Sequence, residues 1–282
     1  AQEVVNLKAT YPFPIFTQVV ETVRALEMSY AAWGGMGKAH AGDKVASFKV
    51  DKAKVRSLLG SAQAVGRDLL LSEALEVLEH YGIPTVRSVM AATVAEAAAA
   101  AEKMGYPVAV KIVAEQISHK SDVGGVQLNL RNGAAVTAAC EDMLNRIHKA
   151  YPQVKIDGVL VQPMITGGRE LILGGRQDPQ FGPVVLVGLG GIFVEIFEEV
   201  MVRVAPVSPA LAREMIDGLR GSAILKGARG HQPADLEALT QAILRLSQLL
   251  VDFPEITEVD INPLRVFSET EGCAALDARI IL

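Results

Sequence analysis

The sequence is poor in the residues that would commit it to several common classes. Aromatic residues make up 5% of its 282 positions, with one tryptophan, and the net charge is −5. A nucleic-acid surface needs clustered cations and stacking rings, so nucleic acid is not an expected partner. The longest apolar stretches, such as Ala97–Ala101 and Pro183–Leu189, fall far short of the ~18 residues of a membrane span, so no membrane is expected. The first ten residues, AQEVVNLKAT, lack the apolar core of a signal peptide. Two cysteines, Cys140 and Cys273, lie far apart without metal-ligand spacing, which suggests a reducing compartment, by default the cytoplasm. What remains is ordinary globular composition, half hydrophobic and 21% charged, with room for one large domain or two modest ones. The chain opens on Ala1 rather than Met, which suits a fragment or a processed product.

The most informative stretch is Tyr106 to Leu130, YPVAVKIVAEQISHKSDVGGVQLNL. Val108 to Val113 reads as a strand buried on both faces, interrupted only by Lys111. An ammonium there is costly to desolvate unless an anion meets it. His119, Lys120, Ser121, Asp122 and the pair Gly124-Gly125 follow, then an alternating strand from Val126 to Leu130. Strand, Gly-Gly loop and strand, with a lysine inside the first, can cradle a polyphosphate with a cation and exposed backbone N–H groups. Equally, Lys111 can snorkel to the strand end and the glycines can make a plain hairpin.

Residues 1–66 differ from the rest. A strand at Asn6–Thr10 and a helix at Thr17–Trp33 cannot bury a core alone, and Gly34 to Asp43 reads as a linker. Ser57–Val65 is helical in pattern. Ser72 is an expected N-cap, with Gly82 and Pro84 closing that helix; Thr93 and Glu96 form a capping-box pattern before an alanine-rich helix ending at Gly105. Further helices are expected at Ala134–Ala150, Ala210–Leu219 and Asp235–Leu250, with strands at Gly158–Gln162, Leu171–Leu173 and Val184–Val187. Strands alternating with helices indicate an α/β or α+β fold.

Past Val161 and Gln162, Pro163 and Met164 either free a backbone segment to read an adenine or simply leave a strand. Glu170 either meets a ribose hydroxyl or sits on a rim. The glycines at 188–191 superficially suggest a dinucleotide fingerprint. The last glycine comes too early and no acidic residue follows at the right distance, so a Rossmann reading is rejected. Glu195, Glu198 and Glu199 fit a solvated acidic face, or a loop near a cation. Arg203 pairs either with phosphate or with one of those glutamates, and Leu225–Gly230 is a basic loop that could close over an anion.

In ITEVDINPL (256–264), strict alternation puts Glu258, Asp260 and Asn262 on one face, with Pro263 ending the strand. A second strand, Ala275–Ile280, carries Asp277. If the two pair, Asn262 and Asp277 converge on one hard cation. Magnesium suits two protein oxygens completed by phosphates and water; the other reading is a surface edge strand with polar residues outward.

In order, YGIP (81–84), GYPVAVKI (105–112), HKSDVGGV (119–126), VLVQPM (159–164), DPQFGPVVLVGLGGIFVE (178–195), LKGARG (225–230), DFPEITEVDINPL (252–264) and LDARI (276–280) resemble the ATP-grasp domain of the NDP-forming acyl-CoA synthetases. That group includes ADP-forming acetyl-CoA synthetase and is related to succinyl-CoA synthetase. The resemblance implies an ATP-grasp fold at 67–282, two subdomains clasping the nucleotide, the first at about 85–160. It makes 1–66 similar to the last strand, helix and linker of a CoA-ligase domain. It implies ATP or ADP with Mg2+ as cofactors: Lys111 on the α/β-phosphates, Gly124 and Gly125 over the polyphosphate, Val161 to Met164 as the adenine hinge, Glu170 near the ribose, Asn262 and Asp277 on magnesium. By the same resemblance His119 takes a phosphoryl group and Asp260 orients an incoming phosphohistidine. No second phosphohistidine motif or CoA-binding unit is visible; His40, His80, His148 and His231 sit in peripheral contexts. The implied partner is therefore a CoA-binding domain or subunit carrying a phosphohistidine and supplying acyl-CoA or carboxylate, in a hetero- or homo-oligomer. A regulatory ATP-binding module and another ATP-grasp carboxylate ligase are the alternatives.

Overall fold

A computed structural model describes residues 45–117, 120, 122–191, 200–227 and 232–282. In chain order these hold α1 (Lys52–Gln63), α2 (Leu71–His80), β1 (Val89–Ala91), α3 (Val94–Met104), β2 (Val108–Val113), β3 (Val126–Leu130), α4 (Gly133–Ala150), β4 (Gly158–Pro163), β5 (Arg169–Asp178), β6 (Gly182–Leu189), β7 (Val200–Val204), α5 (Pro209–Gly218), α6 (Ser222–Leu225), α7 (Leu236–Asp252), β8 (Glu258–Val266), β9 (Cys273–Ala275) and β10 (Ala278–Ile281). The expected strand, helix and linker of residues 1–44 lie outside the described residues, as do His119, Glu195, Glu198, Glu199 and part of the 225–230 loop.

The smaller sheet runs β1–β4–β2–β3, with antiparallel neighbours throughout. Every residue of β2 is buried, as its apolar run demands of a central strand. One face is covered by α3 through Ala97, Ala100 and Ala101, whose small side chains let the helix approach closely. Beside it α4 contributes Val136, Cys140, Met143 and Ile147, a stripe at helical spacing. Thr93 caps α3 by accepting from the Glu96 N–H at 3.2 Å, and Glu96 in return accepts from Ala92, one residue ahead of the expected box.

The larger sheet runs β10–β8–β5–β6–β7, with β9 also on β8, and its pairs are antiparallel. Antiparallel sheets with helices on one face make an α+β arrangement, not a parallel Rossmann unit. One face of this sheet is packed under α7 and α5. The register fixes what lies on the other: Asp260, Gly174, Leu186 and Val202 stand opposite one another on β8, β5, β6 and β7, and so share that face.

Several local expectations needed correction. Helix α2 starts at Leu71, one residue before Ser72. Its first free donor, the Leu70 N–H, is satisfied by the Glu73 carboxylate at 2.8 Å, which also takes two bonds from Arg67. Strand β5 continues past Leu173 through Gly174 and Gly175; a Cβ at Gly175 would collide with Leu250 of α7. Pro263 does not end β8. Leu171 opposes Leu264 whereas Leu173 opposes Ile261, so β8 carries one extra residue, a bulge at Asn262–Pro263. Asp277 lies in the link between β9 and β10 rather than within a strand.

Candidate functional site

The site is built where the smaller sheet meets the β9–β10 link. Lys111 projects from the middle of β2, and its Nζ donates to the Leu276 carbonyl at 2.6 Å and to Asp277 Oδ2 at 3.0 Å. Residue 111 is 7% exposed. Burial pushes its ammonium pKa down; Asp277 offsets part of that, and neighbouring Lys120 adds to the lowering. Lys120 Nζ reaches the other carboxylate oxygen, Asp277 Oδ1, at 3.2 Å. Two ammonium groups thus share one carboxylate, an arrangement with positive charge to spare for a further anion.

Asn262 is brought to the same spot by the β8 bulge. Its backbone N–H donates to the Asp277 carbonyl at 3.2 Å, and the Leu276 N–H donates to the Pro263 carbonyl at 3.0 Å. Asp260 lies two residues back on the sheet face opposite α7, in register with Arg279 of β10. Glu258 and Asp260 face one way while Val259 and Ile261 are buried, as alternation requires.

From β4, the buried Gln162 donates to Ser88 Oγ at 3.0 Å and to the Leu276 carbonyl at 3.2 Å. Val161 points into the smaller core. Pro163 remains in the sheet opposite Val108, and the Met164 N–H donates to the Pro107 carbonyl at 3.0 Å, so the chain is not freed at the proline. Glu170 binds Arg265 at 2.7 Å, and its carbonyl accepts from Gly190. A side chain at Gly190 or Gly191 would collide with Glu170, which accounts for those glycines without a dinucleotide. Gly124, at φ 66°, turns the β2–β3 loop, and the Gly125 N–H donates to the Lys120 carbonyl at 2.6 Å. This contact holds Lys120 in place. Arg203 pairs with Glu214 at 2.8 Å, a third partner to the two expected.

Lys111, Asn262 and Asp277 therefore meet, with Gln162 beside them; Glu170 occupies a separate contact with Arg265. Lys120, Ser88 and the Leu276 carbonyl were not singled out from the sequence. The cue for Lys120 was its place between His119 and the glycines, but a loop lysine looks like any solvated charge.

The donor set suits magnesium in kind. Among the described residues no group of three or more His, Cys, Asp or Glu side chains could cage a metal, and magnesium bound with a polyphosphate needs no such cage. The Asp277 carboxylate offers about four lone-pair positions, of which the two lysines use two, and the Asn262 side chain adds an amide oxygen.

Residues 61–282 match the family model described as an ATP-grasp domain. The chain is 43% identical to the beta subunit of ADP-forming acetate–CoA ligase I of Pyrococcus furiosus, over 82% of this chain and 98% of that subunit. It is 44% identical to the ADP-forming 4-hydroxybutyrate–CoA ligase of Nitrosopumilus maritimus, over 84% of this chain but 34% of the ligase. The chain thus spans about a third of that longer relative. The dinucleotide forming acetyl-coenzyme A synthetase 1 of Ca. Korarchaeum cryptofilum, solved with coenzyme A and Ca-AMPCP, superposes with a TM-score of 0.77 at 42% identity, covering 80% of this chain and 99% of that one. The same protein with Mg-AMPPCP, its phosphohistidine segment pointing towards the nucleotide site, gives a TM-score of 0.69 at 40% identity, over 81% and 99%. The chain belongs to the ATP-grasp family, in the branch that includes the beta subunits of ADP-forming acetate–CoA ligases.

Proposed function

We propose that the chain is the nucleotide-binding, phosphoryl-transferring half of an ADP-forming acyl-CoA synthetase, interconverting acyl-CoA, ADP and phosphate with carboxylate, CoA and ATP through phosphohistidine. The observation that carries this reading is the Lys111–Asp277 contact at 3.0 Å, which joins a strand of one sheet to the β9–β10 link of the other beside Asn262. Lys111 and Lys120 bind the polyphosphate, Gly124 and Gly125 cover it, and the strand exit at Gln162 to Met164 with Glu170 lines the nucleoside side, Val161 anchoring that exit in the core. Asn262 and Asp277 hold magnesium, which when bound neutralises charge on the phosphates. His119 accepts the γ-phosphoryl group: its ring nitrogen forms the N–P bond as the bond to the β–γ bridging oxygen breaks, ADP leaves and the imidazole proton is released. Asp260 orients the phosphohistidine of the CoA-binding partner, since a carboxylate fixes an imidazole tautomer. In this reading the chain ahead of α1 is the end of a CoA-ligase-like domain, whereas α1 packs Val55, Leu59 and Ala62 into the core of the larger sheet, and the acyl group is chosen by the partner.

The test is incubation with γ-labelled ATP and magnesium, with and without the CoA-binding part. Acid-labile, base-stable label that disappears in His119→Ala while ATP still binds supports the proposal. ATP binding with no label in the wild-type protein favours a regulatory module. Label that appears in an acyl phosphate with none on the protein favours another carboxylate ligase.

A further inference from the structure

Strand β7 carries three alternate valines, Val200, Val202 and Val204, each 44–48% exposed. It is the last described strand of its sheet, and its neighbour β6 places Leu186 opposite Val202 and Val184 opposite Val204, both only partly buried. Phe181, 65% exposed, stands on the β5–β6 turn at the same end. Single exposed apolar residues are ordinary; an apolar strip in register on the last described strand of a sheet marks a contact surface. Helices α5 and α7 do not cover it, since they pack on the opposite face.

The register says what else shares this face. Asp260, Gly174, Leu186 and Val202 form one row across four strands. At about 4.8 Å per strand, Val202 lies about 14 Å from Asp260 along the row. We infer that the Val200–Val202–Val204 strip, with Leu186 and Val184, is the landing surface for the CoA-binding polypeptide whose histidine is presented to Asp260. This rests on the function proposed above. Two observations favour this occupant over a second copy of the chain. The ligase of 44% identity carries about two thirds of its length outside the matched region, whereas the Pyrococcus relative is matched almost whole as a subunit. A unit that occurs both fused and as a separate subunit needs a non-covalent footing for the rest. A polypeptide delivering a histidine to Asp260 must also reach the face that Asp260 shares with the valines. Its complementary surface is expected to be apolar where it meets β7.

The test uses the protein with its CoA-binding part, fused or as a second subunit, and γ-labelled ATP with magnesium. In the double variant Val202→Glu, Val204→Glu, ATP affinity and label on His119 should stay within twofold of wild type. Passage of label to the CoA-binding part should fall at least tenfold. Val251→Glu, at an exposed position on α7, should change neither. Wild-type passage of label in the double variant overturns the inference. So does an equal loss in Val251→Glu, or a double variant whose only effect is to dissociate copies of this chain. Absence of any phosphohistidine in the wild-type control removes the parent reading and this one together. Loss of passage confined to the valine variant is the pattern that only this surface explains.

Discussion

Lys111 is the residue on which most of the proposed chemistry turns. Its position inside an apolar strand is costly, and Asp277 with the Leu276 carbonyl meets that cost. Lys111→Met keeps a similar volume and leaves Asp277 paired with Lys120. Calorimetry should show Mg-ATP affinity reduced at least tenfold, with urea stability within about 1 kcal/mol of wild type, because a buried charge is exchanged for a packed side chain. A large fall in stability with unchanged affinity would make Lys111 a structural residue only. The lysine was legible because nothing else interrupts Val108–Val113, and Asn262 because a polar row precedes a proline. Lys120 was not, since its role comes from the Gly125–Lys120 backbone contact, a product of loop closure that spacing does not reveal.

Among the elements, the described end of the β2–β3 loop leaves no room for a side chain at Gly125. A Cβ on Gly125 would sit 2.5 Å from Ile112 Cγ2 and 3.0 Å from the Lys120 carbonyl. Gly125→Ala should therefore cost about 1–3 kcal/mol in urea denaturation and weaken Mg-ATP binding through displaced Lys120. Helices α1, α2 and α7 are tied at Asp252, which receives Lys52 at 2.7 Å, Tyr81 at 2.9 Å and Gln248 at 3.3 Å. Burial alone would raise the Asp252 pKa, but Lys52, Tyr81 and Gln248 outweigh it and hold it below the ordinary carboxylate value. The unfolded state then binds the proton more tightly, so this contribution is complete above about pH 4 and is lost as pH falls through the folded value. The stability gap between wild type and Asp252→Asn, read from urea curves, should shrink below about pH 4; a gap that widens there contradicts the assignment. Element identity was readable from periodicity almost throughout. The failures fall where side chains carry no periodic signal: the Gly174–Gly175 pair that hid half of β5, and the extra residue that let β8 pass Pro263.

At the scale of the molecule, two hydrophobic cores meet around the site. Cys140 lies in the core of the smaller sheet and Cys273 in that of the larger. Burial pushes both thiols up, Cys273 to about 11, so neither should react with a disulfide reagent at pH 8 without local opening. Saturating Mg-ATP should slow modification of both by a common factor, because a ligand bridging the cores stabilises them together. Protection of Cys273 alone would mean that the nucleotide contacts only the larger sheet. A layered α/β or α+β class was legible from alternating strands and helices. The pairing order was not, since antiparallel neighbours such as β1 and β4 are some 70 residues apart and no local pattern records which strand a given one will join.

The double lysine grip on Asp277 carries one last consequence. Before nucleotide arrives, the carboxylate expected to greet a divalent ion is already surrounded by cationic heads, so a lone ion is repelled as much as it is attracted. Metal should enter only when escorted by phosphate, whose negative charge draws the lysines toward itself. Magnesium titrated into the protein without nucleotide should accordingly give no heat, whereas strong uptake of the bare ion would show that the lysines let go far more readily than their geometry suggests.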